Sequence, residues 1–357
     1  MRREVAGICI PFVAGIYATE VTGCAIDDGT SMSIAFITVF ISAAFLIYKP
    51  TRQSRYARFL AAISMFVCGV ICRKISMICE CSTTDILSDF AAPALRIFTK
   101  LIDSLPFVDE SCNSFLKALL CGDRSSLPEH ITKSFRESGA SHILALSGLH
   151  LGIIYMMTRR GLSILGNNPA ARKFRSAATI LLCCGYTILT GAGSSLTRAL
   201  IFVMLNEAGT LINRSHELKQ VFYSALLIQL TMSPSSSVSL GFQLSYAAMA
   251  GIVFIYPVLR DSFPSGNPIK KIWSIASMSI ACQITTAPLV WIRFHTFPPY
   301  FLITNLICIP LTGVVIPASI LTLALHSAGI CPEFIYKISE TLILALLASI
   351  RIIAGIT

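Results

Sequence analysis

The run ASHILALSGLHLGII (140–154) is apolar enough to enter a membrane, yet it carries His142, Ser147 and His150. Hydrocarbon supplies none of the hydrogen bonds these side chains need, so each must face protein or water. Ser147 and His150 are three residues apart, which places both on one helix face. A hydroxyl beside an imidazole is the start of a nucleophile–base pair, but an activated serine also needs a group that orients the base. No Asp or Glu inside a membrane run offers itself for that role. The two histidines would stand roughly 12 Å apart on an unbroken helix, too far to share a metal ion. With no His-Glu-x-x-His, no Cys-x-x-Cys and no acidic cluster nearby, no metal site is expected. The three side chains read as polar lining of a path, or as ties between helices, and not as a catalytic pair.

Other polar residues sit in apolar surroundings. Arg198 lies within GSSLTRALIFVML (193–205), where its guanidinium either reaches for headgroups or is offered to an anion. Gln243 and Ser245 occur in GFQLSYAAMAG, Gln283 in CQITTAP and Asn305 in FLITNLICIPLTG, each followed by Gly or Pro within a few residues. Such breaks are tolerated at membrane depth where backbone is covered by protein or lines a cavity. In WIRFHTFPPYF (291–301), Arg293 and His295 alternate with aromatic residues. That pattern suits an interfacial belt first, and a surface for stacking bases and holding phosphates second.

The elements that must position these groups follow from composition. Hydrophobic residues make up 54% of the 357 and charged residues 13%, and mean hydropathy is +0.73. A soluble domain carries about a quarter charged residues. The expected fold is therefore an all-α polytopic membrane protein with about 10–11 transmembrane helices, some broken or re-entrant. Apolar runs recur at 5–19, 32–48, 57–72, 142–158, 177–193, 196–212, 220–236, 239–258, 272–292, 300–325 and 334–355. Arg2 and Arg3 precede the first run and no small-residue cleavage site clearly follows it, so an anchor is expected rather than a cleaved signal. Starting with the N-terminus inside and alternating, the inner loops collect Lys49, Arg52, Arg55, Arg58, Arg159, Arg160, Arg172, Lys173 and Arg175. The outer loops hold Glu20, Asp27, Asp28 and the small polar runs GAGSS and SPSSS. Much of the net charge of +10 is thus accounted for by the positive-inside rule.

The stretch 73–140 differs, with charges of both signs and apolar residues recurring every three or four positions. Its expected form is a set of amphipathic helices between the third and fourth spans, lying at the outer membrane surface or across a pore mouth. Cys79, Cys81, Cys112 and Cys121 fall here; outside the cell they could form disulfides, with three pairings open. The remaining cysteines named by their apolar setting, among them Cys9, Cys183 and Cys308, read as small core residues. Three regions result: membrane helices over 1–72, the amphipathic segment 73–140, and a membrane core over 141–357.

GDRSSLPEHITKSFRESGASHILALSGLHLGII (122–154) resembles the core signature of ComEC-type competence proteins. SSLTRALIF (194–202), SLGFQLSYAAMAGI (239–252) and NLICIPLTG (305–313) match further motifs of that family in the same order. The resemblance implies a bacterial inner-membrane permease, N-terminus cytoplasmic, that conducts single-stranded DNA into the cytoplasm during natural transformation. It carries over onto Ser147, Gly148, Leu149, His150, Arg198, Gln243, Ser245 and Asn305; His142, Gln283 and Arg293 join them as path candidates from the polar pattern. Implied partners are single-stranded DNA, a DNA receptor, a separate nuclease, a cytoplasmic ATPase or helicase and membrane lipid, and a homo-oligomer is allowed. No cofactor, metal or catalytic residue is assigned. Two family features are missing from the sequence: room in 73–140 for a small β-rich domain, and the His-x-His-x-Asp-His motif of a metallo-β-lactamase-like nuclease domain. A channel part without the nuclease-like domain is therefore expected, with a small-solute or anion transporter, an intramembrane serine hydrolase or an inactive truncated copy as alternatives.

Overall fold

The computed structural model describes residues 4–22, 55–78, 83–166, 168–212, 217–262, 270–295 and 300–355, and among these there is no strand. The run 32–48, Cys79 and Cys81 lie outside the described residues. The described helices, in chain order, are α1 (Glu4–Thr22), α2 (Arg55–Ile78), α3 (Thr83–Asp103), α4 (Glu110–Cys121), α5 (Glu129–Glu137), α6 (Ser141–Leu144), α7 (Gly148–Gly161) and α8 (Pro169–Leu189). They continue with α9 (Ser194–Leu211), α10 (Leu218–Met232), α11 (Leu240–Ala250), α12 (Tyr256–Asp261), α13 (Lys270–Phe294), α14 (Phe301–Ser327) and α15 (Glu333–Ala354). Among the described residues four stretches are long and apolar enough to cross a membrane: Phe59–Met77, Leu240–Asp261, Ile272–Phe294 and Phe301–Ser327, with Val5–Val21 a shorter apolar helix. The chain is an all-α, multi-pass membrane protein. Its contacts divide it into two units, Met1–Ser82 with Asn213–Tyr246, and Thr83–Ile212 with Ala247–Thr357.

In the first unit α1 and α2 cross at backbone contact. A Cβ added to Gly15 would overlap the carbonyl oxygen of Phe66, and one on Gly69 that of Phe12. Small residues allow this approach, and in lipid, close backbone packing is a main source of helix association. The polar ends of the same helices meet a short 3₁₀ turn, Pro234–Val238. Arg73, 7% exposed, pairs with Glu20 at 2.7 Å and donates to Ser235 Oγ at 2.8 Å. Tyr17 and Gln243 both donate to the carbonyl of Ser237, at 3.0 and 3.1 Å.

In the second unit α4 forms the centre. Phe115, Leu116, Ala118 and Leu119 are all 0% exposed and pack with Cys308, Val315, Ile316, Ile343, Leu346 and Ile350 from α14 and α15. α4 is amphipathic, and its apolar side meets other helices. Asp109 caps its start by accepting from Ser111 N at 2.8 Å, and Gly122, at φ 76, ends it in the left-handed conformation glycine tolerates. Lys117 pairs with Asp103 at 2.8 Å, back to the end of α3. Ser104 reaches His326 at 3.0 Å, whereas the carbonyl of Ser138 receives Thr304 at 2.7 Å. Thr304 and His326 are roughly 33 Å apart along α14 at 1.5 Å per residue. Residues 104–138 therefore run the whole length of α14.

The break expected near Gly251 takes the form of a π turn, Gly251–Ile255, closed by the Tyr256 N–H on the Gly251 carbonyl. Pro257, with no N–H to give the preceding turn, accounts for its position. Gly251 is pressed against the Ala281 carbonyl of α13, with no room for a side chain.

Gly15→Val is expected to force α1 from α2 and lower the stability of the purified protein by about 1–3 kcal/mol or more, as overpacking does. Gly7→Ala, with nothing within 4 Å of the added Cβ, should leave it unchanged. Thermal unfolding in detergent compares the two.

Candidate functional site

The histidine-bearing run is not one helix. α6 ends at Leu144, Ala145 is extended (φ −80, ψ 127), and Ser147 (φ −128, ψ 171) is the N-cap of α7. Ser147 Oγ accepts from Leu149 N at 3.2 Å, and His150 Nδ1 accepts from the Ser147 N–H at 3.3 Å. The pair forms a reciprocal capping box, with histidine in the place glutamate or glutamine usually takes. Because Nδ1 accepts from a backbone N–H, the neutral ring carries its proton on Nε2. That Nε2 has no hydrogen-bond partner, although His150 is 0% exposed. The imidazole is thus a cap on one side and an unused donor on the other. Ser147 Oγ also stands 3.2 Å from Nδ1, and no carboxylate is hydrogen-bonded to the ring on its Nε2 side. His142 is exposed on α6, with Nδ1 3.2 Å from the Gly139 carbonyl.

Arg198 on α9 is 4% exposed, so its guanidinium is held inside the protein rather than extended to headgroups. It donates to Ser195 Oγ at 3.0 Å and to the Ser195 carbonyl at 3.3 Å. A Cβ on Gly148 would stand 3.5 Å from Ala199 Cβ. The first turn of α7 thus lies against the α9 turn that carries Arg198. Leu151, Cys183, Leu196 and Val203 pack beneath them. The start of α7, the buried imidazole N–H and the buried guanidinium are all donors or positive ends. Half-helix N-termini and arginine forks suit anions, phosphate oxygens in particular.

A second polar group, not found in the sequence reading, fixes α7, α8 and α9 at their other end. Glu207 is 1% exposed and accepts from Arg159 Nη1 at 2.5 Å, Tyr155 OH at 2.7 Å and Ser176 Oγ at 2.7 Å. Asn206 adds a bond to Tyr155 OH at 2.9 Å. Glu207 lies within the apolar run 196–212 and was not singled out there. The available signal was the spacing Tyr155–Arg159, one turn apart, facing an acid in VMLNEAG. Its carboxylate is used by these donors and not by His150.

The remaining candidates are spread over the fold. Gln243 is bonded within the first unit, and Ser245 lies beside it on α11. Gln283 is half-buried on α13, and Arg293 is exposed at its end next to Trp291 and Phe294, which are 57% and 55% exposed. Asn305, half-buried at the start of α14, has an Oδ1 without a partner. Cys112 and Cys121 are free, buried thiols on one helix. In the Gly-Asp-Arg turn, hydrogen bonds from the Ser125 hydroxyl and N–H hold the Asp123 carboxyl below the usual carboxylate range. Among the described residues no group of three His, Cys, Asp or Glu could hold a metal ion.

The profile described as "Competence protein" matches residues 119–357. The chain is 25% identical over 211 residues to ComE operon protein 3 of Bacillus subtilis (strain 168), covering 57% of this chain and 25% of that protein. It is 24% identical over 225 residues to Uncharacterized protein YcaI of Escherichia coli (strain K12), covering 61% of this chain and 30% of that protein. The chain thus spans under a third of the length of these curated relatives. No solved structure matches it. It belongs to the competence protein family.

Ser147→Ala should cost about 1 kcal/mol through loss of the cap, and Ser147→Asn should restore most of it; a catalytic serine would not be rescued by asparagine. Removing one member of a buried pair costs about 3–5 kcal/mol. Arg159 is 30% exposed, so Glu207→Ala is expected at the low end of that range. Unfolding of the purified variants measures both effects.

Proposed function

We propose that this competence-family membrane protein conducts single-stranded DNA through the inner membrane into the cytoplasm during natural transformation. The observation that carries the reading is the broken helix at Ala145–Ser147, whose N-terminal end lies against the turn bearing the buried Arg198. A phosphodiester strand brings a repeated negative charge that hydrocarbon rejects. The break offers it donors and one buried cation. A few weak contacts suit conduction, because a dense cationic lining would trap the polymer. His142, Ser147, His150 and Arg198, with Gln243, Ser245, Gln283, Arg293 and Asn305 elsewhere along the fold, are the residues the proposal assigns to the path.

The proposal keeps the N-terminus cytoplasmic and residues 141–357 as the channel core. Two contacts support the alternation of spans: Glu20, Arg73 and Ser235 meet, as three outer ends should. Arg159, Ser176 and Glu207 meet, as three inner ends should. On this orientation residues 104–138 run along α14 from its inner end to its outer end. The proposal assigns transport to this chain rather than catalysis. Strand capture goes to a receptor, degradation of the complementary strand to a separate nuclease, and pulling to a cytoplasmic ATPase or helicase. The sequence holds no G-x-x-x-x-G-K-[ST] phosphate loop for the last task.

Arg198→Gln is expected to abolish or sharply reduce entry of labelled DNA into the cytoplasm, with surface-bound DNA and protein level unchanged. Arg198→Lys should retain part of it. Normal entry in the glutamine variant would remove the phosphate role. Loss of uptake of a small anion, with DNA entry intact, would favour an anion transporter built on the same donors.

A further inference from the structure

α14 is among the apolar helices of the chain, with mean hydropathy 2.2 over Phe301–Ser327, yet one of its lines is polar throughout. Asn305, Thr312, Ser319 and His326 recur at intervals of seven residues, which brings them to one face of the helix. Thr312 and Ser319 are 0% and 1% exposed. The hydroxyl oxygens of both, and Oδ1 of Asn305, are buried with no hydrogen-bond partner in the protein. Elsewhere buried Thr hydroxyls bond back to the carbonyl four residues earlier, as Thr187 and Thr322 do. The orphaned oxygens on this line are therefore set apart from ordinary satisfied core residues.

The backbone repeats the pattern. Pro310 and Pro317, also seven apart, have no N–H for the carbonyls of Leu306 and Gly313, the residues next to Asn305 and Thr312. The Asn305 and Thr312 levels thus each offer a side-chain oxygen beside a carbonyl without its usual donor. The last level, His326, is connected onward, through Nδ1 to Tyr336 OH at 2.8 Å and Nε2 to Ser104 Oγ at 3.0 Å. Buried polar groups left by the protein are characteristically served by internal water.

We propose that the face of α14 bearing Asn305, Thr312, Ser319 and His326 binds a file of internal water molecules and passes protons between the two ends of the helix. Successive levels are about 10 Å apart at 1.5 Å rise, and about two or three waters bridge that interval at ~2.8 Å per hydrogen bond. A proton entering at one end binds the first oxygen. Each water along the file passes one of its own protons onward, one proton leaves at the other end, and every water is regenerated. Around Thr312 and Ser319 the neighbouring Cys308, Val315, Ile316 and Leu323 belong to the packed core, which leaves no room for a nucleotide there, while Asn305 at the start of the helix is shared with the proposed strand path. The inference is independent of what else the chain conducts.

The test is proton entry into vesicles of phosphatidylethanolamine and phosphatidylglycerol carrying the full chain, driven by a potassium gradient with valinomycin and read by an internal pH dye, without DNA. The chain should acidify vesicles faster than protein-free controls. Thr312→Val, of the same shape but without the hydroxyl, and Ser319→Ala should return the rate to that of the controls, while Thr312→Ser should keep it. Val314→Ala, on the exposed side of the same helix at 51% exposure, should also keep it. Size-exclusion profiles equal to the parent's confirm that the variants are folded. A parent rate no higher than protein-free vesicles, or flux surviving in folded Thr312→Val and Ser319→Ala, overturns the proposal and leaves the strand-permease reading untouched.

Discussion

Hydrocarbon accepts no hydrogen bonds, and most of the polar chemistry of this chain answers to that one constraint. Hydroxyls in apolar helices bond back to their own backbone, as Thr19 to Gly15, Thr158 to Ile154 and Thr231 to Leu227. Charges are gathered rather than scattered: Arg73 closes on Glu20, and Glu207 collects donors from two other helices. Where the main chain must break, at Ala145–Ser147, the open turn is closed by a serine and a histidine serving each other's unpaired groups. Among the described residues the buried groups left without a partner include His150 Nε2, Asn305 Oδ1 and the hydroxyls of Thr312 and Ser319, which are assigned to transport, and also Asn113 Oδ1 and Ser237 Oγ, which are not.

The same constraint explains what could be read from the sequence. Lipid imposes a strong apolar signal, so α2, α13, α14 and α15 stand close to where the hydropathy runs placed them. The break near Gly251 was legible because glycine and proline announce it, whereas the one around Ser147 was hidden inside a run that reads as a single span. The α4 placement was not, because amphipathicity states only that one side is apolar and leaves open whether lipid or protein covers it. Glu207 was hidden for a related reason. Its partners Tyr155 and Ser176 lie 52 and 31 residues away, and an acid near a run's end is indistinguishable in sequence from one in a loop.

The site itself was half legible. The motif residues Ser147, His150 and Arg198 are brought to neighbouring turns, which their spacing along the chain did not imply. Their roles differ from any simple reading of residue type. The serine is a cap, the histidine Nδ1 accepts from backbone, and the arginine is held by Ser195. What remains for a ligand is the Nε2–H side of the ring and the positive end of α7. A chemist reading only the side-chain list would have looked for hydrolysis.

The central position of α4 also bears on how the protein is made. Its apolar side is completed by Ile343, Leu346 and Ile350, more than two hundred residues later in the order of synthesis. Until those residues leave the ribosome, α4 has nothing of its own chain's last helix to pack on, and contacts of such separation close late. A nascent segment with one apolar and one charged side has a natural waiting place, flat against the bilayer surface. Amphipathicity here describes a residence during biogenesis, and burial describes where the segment goes when the final helix arrives.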